Sequence, residues 1–581
     1  MSEILNIENL TTSFKNEERE FVAVKGVSFS LEKGETLAIV GESGSGKSVT
    51  SMSIMRLLNE KLSTIAGKVA FLKNNTNHDL LSLPEKEMRK FRGKDISMIF
   101  QEPMTSLNPV IKCGEQVAES LRLHLGMSKK EAHKRTVELF EKVKLPRPEY
   151  MYNAYPHQIS GGQKQRVMIA MAISCNPELL IADEPTTALD VTVQKSILEL
   201  LKELQREFNM SIIFITHDLG VVSELANKVA IMYKGKIVEA GSVNEIFSNP
   251  QHSYTKGLLA CRPQLNIRLK NLPTIGDFMR ENEDGSFTNT NFDPAGQAEQ
   301  IETIQERKSR LETLYKNEPV LELKNVSKTF LLKKSGFSFG SEKLNAVQNV
   351  NLSVYPGETL GLVGESGCGK STLGKIILRL LEPTTGEIFY QGKDIRNIGS
   401  GEMRRMRKKM QVIFQDPYSS LNPIKRIGEA IAEPMLVHKI HSSNKAAKNA
   451  AIELLEKVGL KEEHYNRYPH EFSGGQRQRI VIARALSVQP EFIICDECVS
   501  ALDVSVQAQI INLLQQLKRE QNFSYIFISH DLGVVKYVSD RIAVMNQGII
   551  EEIGDADEIY SNPKSVYTQK LIEAIPKLVA V

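Results

Sequence analysis

The chain has 581 residues, with 73 lysines and arginines against 70 aspartates and glutamates and a formal net charge of +3, which excludes a nucleic-acid binder held by bulk charge. At 41% hydrophobic and 25% charged residues it is neither disordered nor fibrous, and its length allows several domains, each with its own core. No apolar window of about 18 residues occurs, and the opening Met1-Ser2-Glu3-Ile4 lacks a basic region followed by an apolar one, so neither a membrane span nor a secretory route is expected.

In chain order, the first strong element is the apolar, strand-like run Thr36 to Val40, leading into Gly41-Glu42-Ser43-Gly44-Ser45-Gly46-Lys47-Ser48 and a helix-like segment. That is the setting a phosphate-binding loop requires. Gly41, Gly44 and Gly46 let the backbone wrap a triphosphate, N–H groups such as that of Ser43 face the anion, Lys47 reaches the terminal phosphates and Ser48 can ligate Mg²⁺. The asparagine-rich stretch Lys73 to Lys90 reads as a loop, and Phe100-Gln101-Glu102-Pro103 follows it. Ser160-Gly161-Gly162-Gln163 opens a helix, offering a hydroxyl, free N–H groups and a positive dipole end as a second anion surface. The run Leu179 to Ala182 is an apolar strand ending in two carboxylates. Asp183 is placed to hold Mg²⁺ through water, and Glu184 can take a proton from an attacking water. Ala188-Leu189-Asp190 and Thr216-His217-Asp218 come next, then a hairpin of Lys228 to Tyr233 and Lys236 to Ala240, joined at Lys234-Gly235.

From about Arg262 to Glu318 the character changes. Residues 262–318 read as a linker between domains 1–261 and 319–581. Asn282 to Asn291 has loop composition, Asp293-Pro294 is a helix start, and Ile301, Ile304, Leu311 and Leu314 recur at helical spacing. One amphipathic helix is expected, in a spacer that packs on a domain.

Beyond the linker every element returns. Thr359 to Val363 precedes Gly364-Glu365-Ser366-Gly367-Cys368-Gly369-Lys370-Ser371, and Phe414-Gln415-Asp416-Pro417 and Ser473-Gly474-Gly475-Gln476 follow. Then come the strand from Phe492 into Asp496-Glu497, Ala501-Leu502-Asp503, Ser529-His530-Asp531 and a hairpin of Arg541 to Asn546 and Ile549 to Ile553. One order at nearly constant spacing makes the chain a tandem repeat. A short excess before Gln101 in the first copy is expected within Lys73 to Lys90. Each copy should have a parallel α/β core, an N-terminal antiparallel β portion and a helical subdomain between Gln101 and Ser160, or Gln415 and Ser473. Six scattered cysteines point to a reducing compartment, and Cys495 and Cys498, without a second pair, read as packing residues.

Ser160 to Gln163 and Ser473 to Gln476 resemble the signature motif of ABC ATPases, and the whole ordered set is similar to that family across both repeats. The resemblance implies two tandem P-loop NTPase domains of the α/β class, each with a RecA-like core, an antiparallel β subdomain and a helical subdomain. It makes Gln101 and Gln415 the Q-loop glutamines, which serve catalysis and Mg²⁺, and His217 and His530 the switch histidines. By the same likeness Glu184 and Glu497 are catalytic, Ser48, Asp183, Ser371 and Asp496 hold the metal, and Phe14 and Phe330 stack on adenine. Ile159 and Phe472 stand where the family has leucine and stay apolar. In ABC proteins the signature closes on nucleotide held by the opposite domain. Two ATP and Mg²⁺ sites within one chain are therefore implied: Lys47 with Ser473 and Gly475, and Lys370 with Ser160 and Gly162.

The phrases from Gln101 to Pro109 and from Gln415 to Pro423, with Asn249 to Thr255 and Asn562 to Thr568, are similar to the ATPases of oligopeptide, dipeptide, nickel and glutathione importers, in their fused form. Separate members often carry a cysteine cluster after the Tyr-Thr pair. Only Cys261 stands nearby here, so no iron–sulfur site is implied. The resemblance implies a cytoplasmic ATP-hydrolysing motor on the inner face of the plasma membrane. Its partners would be two integral-membrane permease subunits and an extracytoplasmic solute-binding protein, without nucleic acid. A ribosome-binding ABC-F factor would carry a long, strongly basic linker, whereas Glu299, Glu302 and Glu306 here mix with Arg307, Lys308 and Arg310. A DNA-repair ATPase would carry zinc-binding cysteine pairs or long coiled coils.

Overall fold

Thr36–Val40 and Leu179–Asp183 are strands buried at every position, as a parallel sheet covered on both faces demands. A computed structural model describes residues 2–15, 20–101, 103–187, 189–264, 267–282, 287–290, 301–333, 341–500 and 502–576. In the first half a six-stranded sheet has the order Lys236–Ser242, Lys228–Tyr233, Thr36–Val40, Ser211–Thr216, Leu179–Asp183, Ile96–Ile99. Its neighbours are parallel except for the hairpin at one edge. The second half repeats it with Ile549–Asp555, Arg541–Asn546, Thr359–Val363, Ser524–Ile528, Phe492–Asp496 and Met410–Ile413. In each sheet the four neighbouring parallel strands that carry functional residues present them at one set of strand ends, where ligands of parallel sheets bind.

An antiparallel sheet of Glu20–Glu32, Glu3–Lys15, Ser63–Lys73 and Thr76–Asp79 covers the first core, and Ser341–Val354, Leu321–Lys333, Thr385–Tyr390 and Lys393–Asp394 form its counterpart. The helical subdomains hold Cys113–Leu125, Lys129–Lys142 and Pro148–Asn153 in the first half, and Ile427–Val437 and Asn444–Lys457 in the second. Ser128 and Glu131 close a capping box at the head of Lys129–Lys142. Leu121, Leu139 and Phe140 continue into one apolar cluster with Ile197, Leu201 and Phe214, so the subdomain is bonded to the core by burial.

Three expectations change. Lys73 to Lys90 is not a loop: Asn74 and Asn75, at φ 50° and 60°, turn a hairpin into Thr76–Asp79, and Glu85–Phe91 is a helix. The excess of the first copy is divided. Gly67 and Gly386 both press on a bulge, at Asn9 and Asn325, yet the chain from Lys47 to Gly67 is the longer, and Ser63–Lys73 has 11 residues against 6 in Thr385–Tyr390. In the linker, Phe287–Asn289, where loop was expected, pairs as a strand with Met279–Glu281, and Ile275–Phe278 is a short additional helix.

The expected linker helix is Ile304–Leu314, capped by Thr303 and Glu306. Asp293 and Pro294 lie outside the described residues. The buried face of the helix differs from the apolar pattern, because Ile304 is 89% exposed while Arg307 and Leu314 are buried. Arg307 bonds Asp555 at 3.1 Å, the Asp540 carbonyl at 3.0 Å and Asp557, and Arg310 donates to Asp540 Oδ1 at 2.7 Å. Upstream, Arg268 donates to the carbonyls of Lys536 and Ser539, and Leu269 and Leu272 join the second half's apolar core. The spacer thus packs on the second half, through arginines more than through an apolar stripe.

Candidate functional site

The turn after Thr36–Val40 reverses through Gly46 at φ 102°, a conformation open to glycine, and Gly46 caps the helix Lys47–Ile54. Lys47 Nζ folds back onto the carbonyls of Gly41 (2.8 Å) and Glu42 (2.9 Å), and Lys370 does the same to Gly364 (2.7 Å) and Glu365 (2.8 Å). Ser48 donates to Asp183 at 3.0 Å and Ser371 to Asp496 at 2.8 Å. The strand ends bring the remaining predicted groups to the second carboxylate. Gln101 donates to Glu184 at 3.1 Å and Gln415 to Glu497 at 2.7 Å, while Nδ1 of His217 and of His530 lies 3.3 and 3.6 Å from the same glutamates.

Glu184 and Glu497 sit in the left-handed region, at φ 47° and 50°, held there by N–H bonds of 2.9 Å to Ile215 and Ile528 on the neighbouring strands. Burial resists ionisation of Glu184, but hydrogen bonds from His217 and Thr187 and the charges of His217 and Lys47 outweigh it and hold its carboxyl down to about 2. Glu497 is lowered in the same way by His530 and Lys370 against its burial. Asp183 moves the opposite way: burial and the neighbouring Glu184 charge raise it to about 6, against the Ser48 bond. Burial likewise raises Asp496.

These features fit the groups the motifs imply. A buried carboxyl that resists its own charge, beside a hydroxyl, accepts a hard cation such as Mg²⁺. Burial lowers the Lys47 ammonium, and Ser45 Oγ is buried without a partner among the described residues, so the loop has charge and polarity to offer an anion. In the second half a cavity of about 310 Å³ is lined by Ser366, Lys370, Ser371, Gln415, Glu497 and His530, with Phe330 and Leu344 at one wall and Asp190 of the first half at another. Phe14, half-buried, holds the corresponding strand end opposite Phe21.

Ser160 and Ser473 cap the helices Gly161–Ile173 and Gly474–Leu486, with Gln163 and Gln476 completing capping boxes. A Cβ on Gly161 or Gly474 would meet nothing within 4 Å, whereas one on Gly162 or Gly475 would strike Val193 or Val506 at 2.8 or 2.3 Å. The first glycine therefore leaves the anion surface open, and the second permits close helix packing. At the phosphate loops, contacts between the halves come from the N-terminal ends of the helices Val191–Phe208 and Val504–Gln521. Ser43 N–H donates to Asp503 at 3.3 Å, Ser505 donates to Glu42, and Thr192 donates to Glu365 at 2.8 Å. Sequence reasoning missed Thr187, Thr192, Ser505 and the glutamates Glu42 and Glu365, whose duplication inside each phosphate loop was the available signal.

The chain is similar to several known proteins. The family described as ABC transporter matches residues 24–187 and 347–500, and oligopeptide/dipeptide transporter, C-terminal region, matches 238–286 and 552–581. The chain is 48% identical over 578 residues to the glutathione import ATP-binding protein GsiA of Salmonella typhimurium, spanning 99% of this chain and 90% of the relative. It is 49% identical over 576 residues to its namesake in Escherichia coli K12, spanning 99% and 89%. A dimeric, post-hydrolysis ATP-binding cassette bound to ADP and Pi matches at a TM-score of 0.37 and 32% identity, over 41% of this chain and 98% of that structure.

Proposed function

The chain belongs to the ABC transporter family, and we propose that it is the ATP-hydrolysing motor subunit of an importer for peptides or peptide-like solutes. The observation that carries this reading is the duplicated site, in which Lys47, Ser48, Gln101, Asp183, Glu184 and His217 and their six counterparts converge on two strand edges. Among the described residues no helix is long and apolar enough to cross a membrane. Membrane permease partners are therefore required, and we place the chain on the inner face of the plasma membrane with two of them and an extracytoplasmic solute-binding protein. Relatives named for glutathione import favour a short, thiol-containing peptide over a longer oligopeptide, a dipeptide or a nickel chelate.

The residues divide the work. Lys47 and Lys370, with the loop N–H groups, neutralise the phosphates of ATP, and Phe14 and Phe330 hold the adenine face. Ser48, Gln101 and Asp183, and Ser371, Gln415 and Asp496, would hold Mg²⁺, which screens charge on the transferred phosphoryl group. Glu184 and Glu497 orient the attacking water and accept its proton. Lys47 lies 3.9 Å from Glu184, so phosphates that draw the lysine away remove part of what suppresses its basicity. Gln101 and His217 keep the carboxylate aimed. Ser160 to Gln163 and Ser473 to Gln476 present their helix N-termini to nucleotide on the opposite half, so ATP closes the halves and hydrolysis releases them.

Crosslinking the tagged chain in cells, followed by fractionation, tests this reading. Recovery with membranes and a pair of multi-span permeases is expected; recovery with ribosomes and no permease would overturn it.

A further inference from the structure

The C-terminal region of each half carries a tyrosine with no part in the chemistry above. Tyr254 and Tyr567 open the helices Ser253–Ala260 and Val566–Glu573, within the two stretches that match the oligopeptide/dipeptide transporter C-terminal region. Tyr254 is fully buried, its ring 4.2 Å from that of Tyr233. Its helix is tied to the edge hairpin by Glu239, which accepts the N–H groups of Gln251 and His252, and Glu552 does the same for Lys564 and Ser565. The tyrosine hydroxyls are therefore held rigidly against the core.

Each hydroxyl reaches the phosphate loop. Tyr254 Oη accepts the N–H of Glu42 at 3.2 Å, and Tyr567 Oη accepts that of Glu365 at 3.1 Å. The Glu42 N–H shares one peptide plane with the Gly41 carbonyl, the acceptor for Lys47 Nζ at 2.8 Å. The plane of Gly364 and Glu365 is likewise shared, with Lys370 on its carbonyl at 2.7 Å. A peptide group is rigid and trans, so a bond on its N–H fixes where its carbonyl points. The tyrosine thus holds one end of a plate whose other end seats the phosphate-binding lysine, and both halves are built this way.

We propose that Tyr254 and Tyr567 are positioning residues for Lys47 and Lys370, through which the C-terminal region sets the shape of each phosphate loop before ATP binds. This rests on the ATPase reading above. The loss of either hydroxyl leaves the ring and its packing in place but frees the peptide plane, so the lysine must be ordered when nucleotide arrives. The consequence falls on ATP binding more than on the chemical step.

The test is steady-state ATP hydrolysis by the full chain and its Tyr254→Phe, Tyr567→Phe and double variants, alongside nucleotide-free thermal unfolding. The double variant should raise KM for ATP about fivefold, the worth of one ordinary hydrogen bond, with kcat within about twofold of the parent. The single variants carry the test if the double variant does not fold. An unchanged KM, whether or not the unfolding midpoint falls, would reduce the tyrosines to packing and overturn the proposal. Absence of ATP turnover in the parent chain would defeat the functional reading itself, and this one with it.

Discussion

Glu184 and Glu497 take a left-handed backbone that glutamate adopts at some cost, and each is gripped by a histidine and a glutamine at 2.7 to 3.6 Å, with Lys47 also 3.9 Å from Glu184. So much local constraint on one carboxylate is the mark of a group with a fixed chemical task. Glu184→Gln or Glu497→Gln keeps the shape and removes the base, so the altered site should lose about 100-fold in turnover. Steady-state ATPase activity of each single variant should fall to half or less of the parent, and further if the sites act in concert. Unchanged activity in either would remove that glutamate from the chemistry. The partners of these residues were legible because each lies in a short motif. Their backbone strain was not, since φ depends on hydrogen bonds to Ile215 and Ile528 from distant segments.

The linker shows how an element is placed by charge. Its arginines meet Asp540, Asp555 and Asp557 on the second half, whereas the first copy has Asn227, Ser242 and Asn244 at the same places in the repeat. Asn227 and Asp540 do one shared job, each accepting a strand N–H at 2.9 Å, from Thr36 and Thr359. The added charge of Asp540 is what lets Arg310 and Lys518 bind there. Burial opposes ionisation of Asp540, but Lys518, Arg310 and the Thr359 N–H hold its carboxyl well below the usual carboxylate range. Its pKa is thus lower in the folded chain, so its stabilisation is present above about pH 4 and lost as pH falls further. Asp540→Asn should cost about 3 kcal/mol in the unfolding of the second half at pH 7, because it leaves Lys518 without a carboxylate beside a buried site and Arg310 with Glu302 alone. The gap between parent and variant in urea midpoint should narrow below pH 4; a constant gap would refute the electrostatic account. Helical spacing located this helix, but it pointed to Ile304, which the structure leaves exposed, since spacing ranks apolar residues and does not reveal that the facing surface is acidic.

At the scale of the whole molecule, each phosphate loop touches the opposite half through the loop after the catalytic glutamate. Asp503 caps Val504–Gln521 and accepts from Ser43, and Asp190 caps Val191–Phe208 and lines the second cavity. Asp503→Ala, placed in a Glu497→Gln background so that only the first site turns over, should lower the remaining activity about tenfold by loosening the closed arrangement. The mirror pair, Asp190→Ala with Glu184→Gln, should behave alike. Full retained activity in both would mean that the halves do not complete one another.

The sequence by itself determined the repeat, the strands before each phosphate loop, the order of the site residues and the class of reaction, because those features rest on local pattern: glycine geometry, apolar runs and charges at strand ends. The tertiary structure alone decided which half receives the linker, why Gly162 and Gly475 must be glycine, how Tyr254 and Tyr567 reach the loops, and which residues bridge the halves. Those are contacts between segments far apart in the chain, where spacing carries no information and shape, burial and facing charge settle the outcome.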